Sequence, residues 1–571
     1  MHHLKWVFNL FLLLTLFALI RTEITTTPCS ETDRLSLLDF KARILKDTTD
    51  TMSTWTGKDC CGGGWEGIQC DSSSGRVTGL IVQSPSASDK GIFMKGTLSP
   101  SLGRLEFLEV MVLSGLKRIE GPIPESFSNL TRLTALVLED NSIQGIILPS
   151  LGNLPLLKTL SLSGNKLEGQ IPPSLGNFKN LLQLNLGRNQ FTGPIPLSFK
   201  NFINLQYLDL SFNSLSGLIP DFIGQLVNLT NLDFSNNMFS GKIPISLSNL
   251  VNLNDLSLSN NQLKGLIPSQ IGNLKTLTTL SLSVNNLSGQ IPESISGLQN
   301  LWNLNLSRNS LSNPLPIAFS IGIPSLLSID LSYNNFILDT VPQWVTNRNL
   351  STVNLAGCSL KGTLPIFIQP EILSAIDLSD NYFTSGLANL FSKAINLQQA
   401  KLSSNQLKGN LSTIVNSRTS RFLEVVDVSN NQISGSIPEL SNFGRLKEMN
   451  ISRNQIIGHI PNSISSMIEL ERLDISRNQI TGTIPQSVGL LLKLGWLDLS
   501  VNGLSGRIPA ELLGIENLRH VNFRSNRLCG EIPQGRPLNV FKEVAYAHNL
   551  CLCGKPLPAC KAKRKAKTKR Y

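Results

Sequence analysis

From about residue 100 onward the apolar and polar positions of this chain follow one long period. LLQLNLGRNQFTGPIPLSFKNFIN is followed by LQYLDLSFNSLSGLIPDFIGQLVN and then by LTNLDFSNNMFSGKIPISLSNLVN, each 24 residues long. An in-phase Asn stands at 141, 165, 189, 213, 237, 261, 285 and 309, always 24 apart. The phase continues at Asn334, Cys358, Asn381, Asn405, Asn431, Asn454, Asn478, Asn502 and Asn526. Seventeen markers over 385 residues exclude coincidence. With a degenerate unit at 112–119 and a first strand at 76–82, the pattern predicts about nineteen units.

Within each unit, the alternation in L-x-L predicts a short strand with its leucines turned inward and its x residues outward. Strands of successive units stack in parallel ~4.8 Å apart, so the array predicts a curved sheet on the order of 90 Å long. The marker Asn turns the chain off the strand, and its buried amide can bond the backbone of the adjacent loop. At position 358 a Cys takes its place as a small, buried, weakly donating stand-in. The second half of the unit, L-x-G-x-I-P, supplies Gly for a tight bend and Pro where no ladder N–H is needed.

This second half resembles the plant-specific class of leucine-rich repeats, over nearly the whole chain. The resemblance implies an α/β solenoid, a plant-type leucine-rich-repeat superhelix with disulfide-linked N- and C-terminal caps. Departures are local: GIILPSLG at 145 and GNLSTIV at 409 lose the I-P, and longer spacings precede Asn334 and Asn431. No insertion after Asn309 exceeds two residues, so the island that forms a hormone pocket in some steroid receptors of this family is absent.

Five segments are expected: a signal peptide at 1–22, an N-terminal cap at 23–75, repeats at 76–526, a C-terminal cap at 527–560 and a basic disordered tail at 561–571. The apolar run at 6–20 suits a secretory leader, with an uncleaved signal-anchor as the alternative. In the first cap, Ser30 and Asp33 are expected to open a helix that carries Leu35, Leu38, Ala42 and Leu45 on one face. Cys60 and Cys61 are adjacent, and a vicinal bridge strains the intervening peptide. The economical pairing is Cys29–Cys60 and Cys61–Cys70, which the family resemblance also implies. The run from Cys529 through Cys551, Cys553 and Cys560 looks like the C-terminal cap of polygalacturonase-inhibiting proteins, and that resemblance implies Cys529–Cys551 and Cys553–Cys560. Eight cap cysteines and one odd Cys358 fit an oxidising compartment.

Composition narrows the function. Leu is close to one residue in six, and charged residues are only 16%. The net charge of +11 suggests nucleic acid until it is located: seven positive charges lie in KAKRKAKTKRY at the end, and most of the rest cancels. Gly62–Gly67 spells GxGxxG but lies between cap cysteines, not between a strand and a helix. No HExxH, GxSxG, HRD or DFG occurs, and a zinc reading of Cys551-x-Cys553 finds only His548 nearby. The carboxylates at 209, 233, 330, 377, 427, 474 and 498 share one slot of the repeat, which reads as consensus surface rather than as paired catalytic acids. The chain reads as no enzyme, with no cofactor and no metal.

What varies is the set of outward positions, where aromatics and Arg favour partner contact. Three clusters stand out: Asn185, Arg188, Tyr207, Asp209 and Phe212; then Trp302, Asn305, Arg308, Asp330 and Tyr333; then Arg453, Arg472, Asp474, Arg477 and Trp496. Arg453 and Arg477 occupy one slot of neighbouring units and favour an anionic guest. Sequons for N-glycosylation lie at Asn129, Asn228, Asn286, Asn305, Asn349, Asn410 and Asn450. Those at Asn305 and Asn450 would place sugar on the strand face itself, beside Trp302, Tyr333 and Arg453. The chain is similar to receptor-like-protein ectodomains and to polygalacturonase inhibitors. The first likeness implies extracellular recognition of a peptide or protein in signalling or defence, with a membrane receptor kinase as co-receptor. The alternatives are inhibition of wall-degrading enzymes, and attachment to acidic wall polysaccharide through the tail. Receptor-like proteins continue into an acidic spacer and a membrane span; a chain stopping at Tyr571 is expected either for a soluble component or for a truncated sequence. The expected place is the extracellular space, the cell wall or the outer face of the plasma membrane.

Overall fold

The computed structural model describes residues 27–84, 91–415 and 421–560, so the expected leader and basic tail lie outside the described residues. The chain divides into two compact units, Met1–Met238 and Phe239–Tyr571.

In the first unit the L-x-L segments form seven parallel strands, from Val77–Gln83 and Val110–Ser114 through Ala135–Val137, Thr159–Ser161, Gln183–Asn185 and Tyr207–Asp209 to Asn231–Asp233. Register is fixed leucine to leucine, as in Leu184 against Leu208. In the second unit twelve such strands run from Asp255–Ser257 to His520–Asn522, again with apolar residues paired across each step. These principal sheets bury one leucine row after another; Leu160, Leu184, Leu208, Leu280 and Leu304 are all fully buried. A second set of short strands follows the bend of most repeats, and 3₁₀ segments such as Pro149–Asn153 and Pro173–Asn177, or short α-helices such as Gln343–Thr346, close them. Successive 3₁₀ segments approach closely: a Cβ on Gly152 would lie 2.3 Å from the Ser174 carbonyl oxygen.

The marker asparagines form a ladder. Asn165 donates from Nδ2 to the carbonyls of Leu138 (2.8 Å) and Leu162 (3.0 Å), and its Oδ1 accepts the Ile143 N–H at 3.0 Å. Asn405 and Asn526 repeat this geometry. Cys358 points its thiol at the same class of carbonyl, Leu331 and Ala356, both at 3.7 Å. Burial pushes its thiol pKa up to about 12, with help from Asp330.

The N-terminal helix spans Glu31–Ala42, but its buried face is Asp33, Ser36, Leu37 and Phe40. The expected stripe is therefore corrected: Leu35 is exposed, and Leu45 belongs to the strand Ile44–Asp47. The cause is polar. Asp33, fully buried, takes the Arg76 guanidinium (2.9 and 3.1 Å) and the Val77 N–H (2.9 Å), docking the helix onto the first sheet strand. It is not used to cap Ser30, whose N–H donates to the Gly75 carbonyl at 2.8 Å. Trp55 stacks on Trp65 beneath the helix, with centroids 5.5 Å apart. Disulfides join Cys29 to Cys60, Cys61 to Cys70, Cys529 to Cys551 and Cys553 to Cys560, and Cys358 is free and buried.

The C-terminal cap continues the repeat for half a turn. Asn549 joins the ladder, donating to the Phe523 carbonyl (3.0 Å) and accepting the Leu528 N–H (3.0 Å). The strand Cys551–Cys553 then pairs in parallel with Arg527–Glu531.

Candidate ligand-binding face

From Ala135–Val137 onward each strand of the principal sheets is three residues long, and the turn that follows must satisfy its own N–H groups. The carboxylate row does this. Asp209, Asp233, Asp330, Asp377, Asp427, Asp474 and Asp498 each accept the N–H of the residue two further on, at 2.8–3.0 Å. Immediately before each marker the backbone turns left-handed, and this slot is filled by Arg188, Phe212, Arg308, Tyr333, Arg453 and Arg477, with φ between 51° and 54°. That conformation pushes these side chains clear of the sheet, onto the rim of its open face.

In the first unit, Arg188 lies 5.6 Å from the ring of Phe212, which is half exposed. Tyr207 is partly buried; burial, reinforced by Asp209, pushes its phenol well above the usual range. Asn185 and Asp209, expected to face a partner, are instead buried. They serve as turn acceptors for the N–H groups of Gly187 (3.1 Å) and Ser211 (2.8 Å).

In the second unit the middle cluster is a clasp. Arg308 covers the Tyr333 ring at 4.4 Å, and the Tyr333 hydroxyl donates to Asp380 Oδ2 at 2.6 Å, two repeats on. Gly357 lies beneath that ring; a Cβ there would sit 2.9 Å from Tyr333 Cδ1. Trp302 is exposed just ahead of the strand Asn303–Asn305, while Asn305 is half-buried and accepts from Ser307. Asp330 is partly buried too, and burial raises its carboxyl pKa.

The third cluster is the most ordered. Glu448, Arg472, Trp496 and His520 stand opposite one another on four successive strands. Arg472 Nε lies 3.3 Å from Glu448 Oε1, an ion pair without hydrogen-bond alignment. Its guanidinium lies 4.3 Å over the Trp496 ring, and Trp496 stacks on His520 at 3.5 Å with 9° between planes. Among the described residues, neither the Trp496 indole N–H nor His520 Nε2 has a hydrogen-bond partner. Burial lowers the His520 pKa. Burial raises that of Asp474, and the neighbouring Asp498 adds to the rise. Arg453 and Arg477 flank this row as exposed side chains in the same slot of adjacent repeats. Glu448 and His520 were absent from the sequence-based clusters, although both keep the 24-residue spacing of Arg472 and Trp496.

Family models match several stretches of the chain. Residues 169–379 match the family described as leucine-rich repeat region, 108–167 match leucine rich repeat, and 30–71 match the leucine rich repeat N-terminal domain; single repeats match at 422–443, 445–467 and 469–491. A TDR receptor structure is 30% identical, with 84% of this chain covered, 88% of that chain and a TM-score of 0.56. The chain belongs to the plant extracellular leucine-rich-repeat proteins. Another solved member of this class is the ectodomain of the Arabidopsis receptor kinase HAESA. It is 29% identical, with a TM-score of 0.60, and the match covers 93% of this chain and 99% of that one. That ectodomain is in complex with an N-terminally extended IDA peptide hormone, and in a second structure (TM-score 0.52) with IDA and the co-receptor SERK1. Among curated relatives, receptor-like protein EIX2 of Solanum lycopersicum is 35% identical over 144 residues, 24% of this leucine-rich-repeat chain. The chain spans about one seventh of the length of the curated receptor-like proteins it matches, 15% and 14% for two of them. No helix among the described residues is long and apolar enough to cross a membrane.

Proposed function

We propose that this protein recognises an extracellular peptide or protein on the open face of the principal sheet of its second unit, as a non-catalytic component of cell-surface signalling or defence. The row Glu448–Arg472–Trp496–His520 carries this reading. It presents a stacked aromatic and cationic platform, bordered by Arg453 and Arg477, where an acidic or aromatic segment gains both charge pairing and ring contact. The likeness to HAESA, whose ectodomain binds a peptide hormone together with SERK1, supports a receptor kinase as co-receptor.

The test is capture of extracellular peptides and proteins by the secreted full chain, beside R453E/R477E and a control, K166E, on the outer strand of the first unit. A partner retained by the native chain and K166E but lost from R453E/R477E is the expected result. Equal retention by all three overturns the assignment.

A further inference from the structure

The seven sequons do not occupy equivalent surroundings. An N-linked sugar replaces one hydrogen of the Asn Nδ2, so the folded chain must leave that nitrogen, and the space beyond it, open to solvent. Asn129 closes the 3₁₀ segment Glu125–Asn129 and is exposed. Asn228 and Asn349 are exposed in the turns that lead into the strands Asn231–Asp233 and Thr352–Asn354. Asn228 donates from Nδ2 to the Ile203 carbonyl at 2.8 Å, a bond that the one N–H left after glycosylation can keep. Asn286 opens the outer strand Asn286–Gly289, and Asn410 ends the outer strand Lys408–Asn410; both are exposed.

Asn305 and Asn450 differ. Each ends a strand paired on both sides: Asn305 stands between Ser281 and Asp330, and Asn450 between Asp427 and Asp474. Both are half-buried, and each Oδ1 accepts both the N–H and the hydroxyl of its own sequon serine. Those serines, Ser307 and Ser452, are themselves buried. Asn450 also donates from Nδ2 to Asp427 Oδ2 at 3.2 Å. With neighbouring strands ~4.8 Å apart, a sugar on either Nδ2 would have to lie across the residues paired on both sides, Ser281 and Asp330 or Asp427 and Asp474, where the sheet leaves it no open space.

We infer that Asn129, Asn228, Asn286, Asn349 and Asn410 carry N-linked glycans while Asn305 and Asn450 stay unmodified. The sugars then cover the outer strands, the 3₁₀ segments and the entry turns, and the face bearing Trp302, Tyr333, Arg453 and Trp496 remains bare. The assignment is independent of which ligand that face takes.

The test is glycopeptide mapping of the full chain secreted from plant cells under its own N-terminus. Peptide:N-glycosidase release in ¹⁸O-water marks each formerly occupied Asn as labelled Asp. Predominant label at the five exposed sites, with Asn305 and Asn450 recovered mainly as unlabelled Asn, is the expected pattern. Predominant occupancy of Asn305 or Asn450, or a predominantly bare Asn at any of the five, overturns the assignment.

Discussion

At the scale of single residues, the structure repeatedly uses one polar side chain to close several backbone bonds, so exceptions are informative. Cys358 offers only weak donation at 3.7 Å where Asn381, in the next repeat, makes bonds of 2.9–3.0 Å. Cys358→Asn is therefore expected to stabilise the second unit by about 1 kcal/mol, read from the denaturation midpoint at unchanged slope. The native thiol, with its pKa pushed up to about 12, should resist alkylation until the chain unfolds. Asp474 is, with Asp330, a carboxylate of the turn row whose pKa burial raises, in a slot that also takes Asn at 354, 450 and 522. A folded pKa above the unfolded one means that the native state binds the extra proton, so this group costs stability as pH rises through the raised range. Asp474→Asn keeps the turn acceptor and removes the charge. The variant should be more stable than the native chain at neutral pH, with the gain shrinking as pH falls through the carboxylate range. His520 acts oppositely: its lowered pKa contributes stability at neutral pH that is lost on acidification below the usual histidine range. Comparing the two pH–stability curves isolates Asp474.

At the scale of elements, a helix and a strand far apart in sequence are held by one buried charge. Asp33 receives two guanidinium bonds and one backbone N–H, while Arg76 also lies 4.3 Å over the Phe107 ring. Removing only one partner of such a pair leaves a partly buried charge uncompensated, at a cost of about 3–5 kcal/mol. Asp33→Ala should accelerate amide exchange in Glu31–Ala42 and Val77–Gln83 and leave Asp255–Ser257 unchanged. Equal acceleration in all three segments would refute a local docking role.

At the scale of the whole molecule, each repeat is stabilised mainly by its neighbours, so the ends are the weak points. The C-terminal cap is tied by Cys529–Cys551 and Cys553–Cys560, and Cys551 and Cys560 are exposed. Each bridge in such a cap contributes ~2–5 kcal/mol. Mild reduction should therefore expose Arg527–Glu531 and then His520–Asn522 to exchange before interior strands such as Gln399–Lys401. Because His520 supports the Trp496 stack, the same treatment should weaken ligand capture by the platform without unfolding the array.

The repeat period, the strand in each unit, the inward leucines and the ladder of asparagines were all determined by the sequence, because a 24-residue pattern repeated this often admits one way to bury its leucines. Even the Glu448–Arg472–Trp496–His520 row was implicit in that period. The tertiary structure decided what period cannot encode. Whether a polar strand residue serves the chain or a partner depends on backbone groups brought beside it by the turn, which is why Asn185 and Asp209 are buried as turn acceptors. The buried face of the first helix depended on Arg76 reaching Asp33 across 43 residues. Only the folded sheet separated sequons that share a motif, because the neighbouring strands at Asn305 and Asn450 come from repeats before and after them.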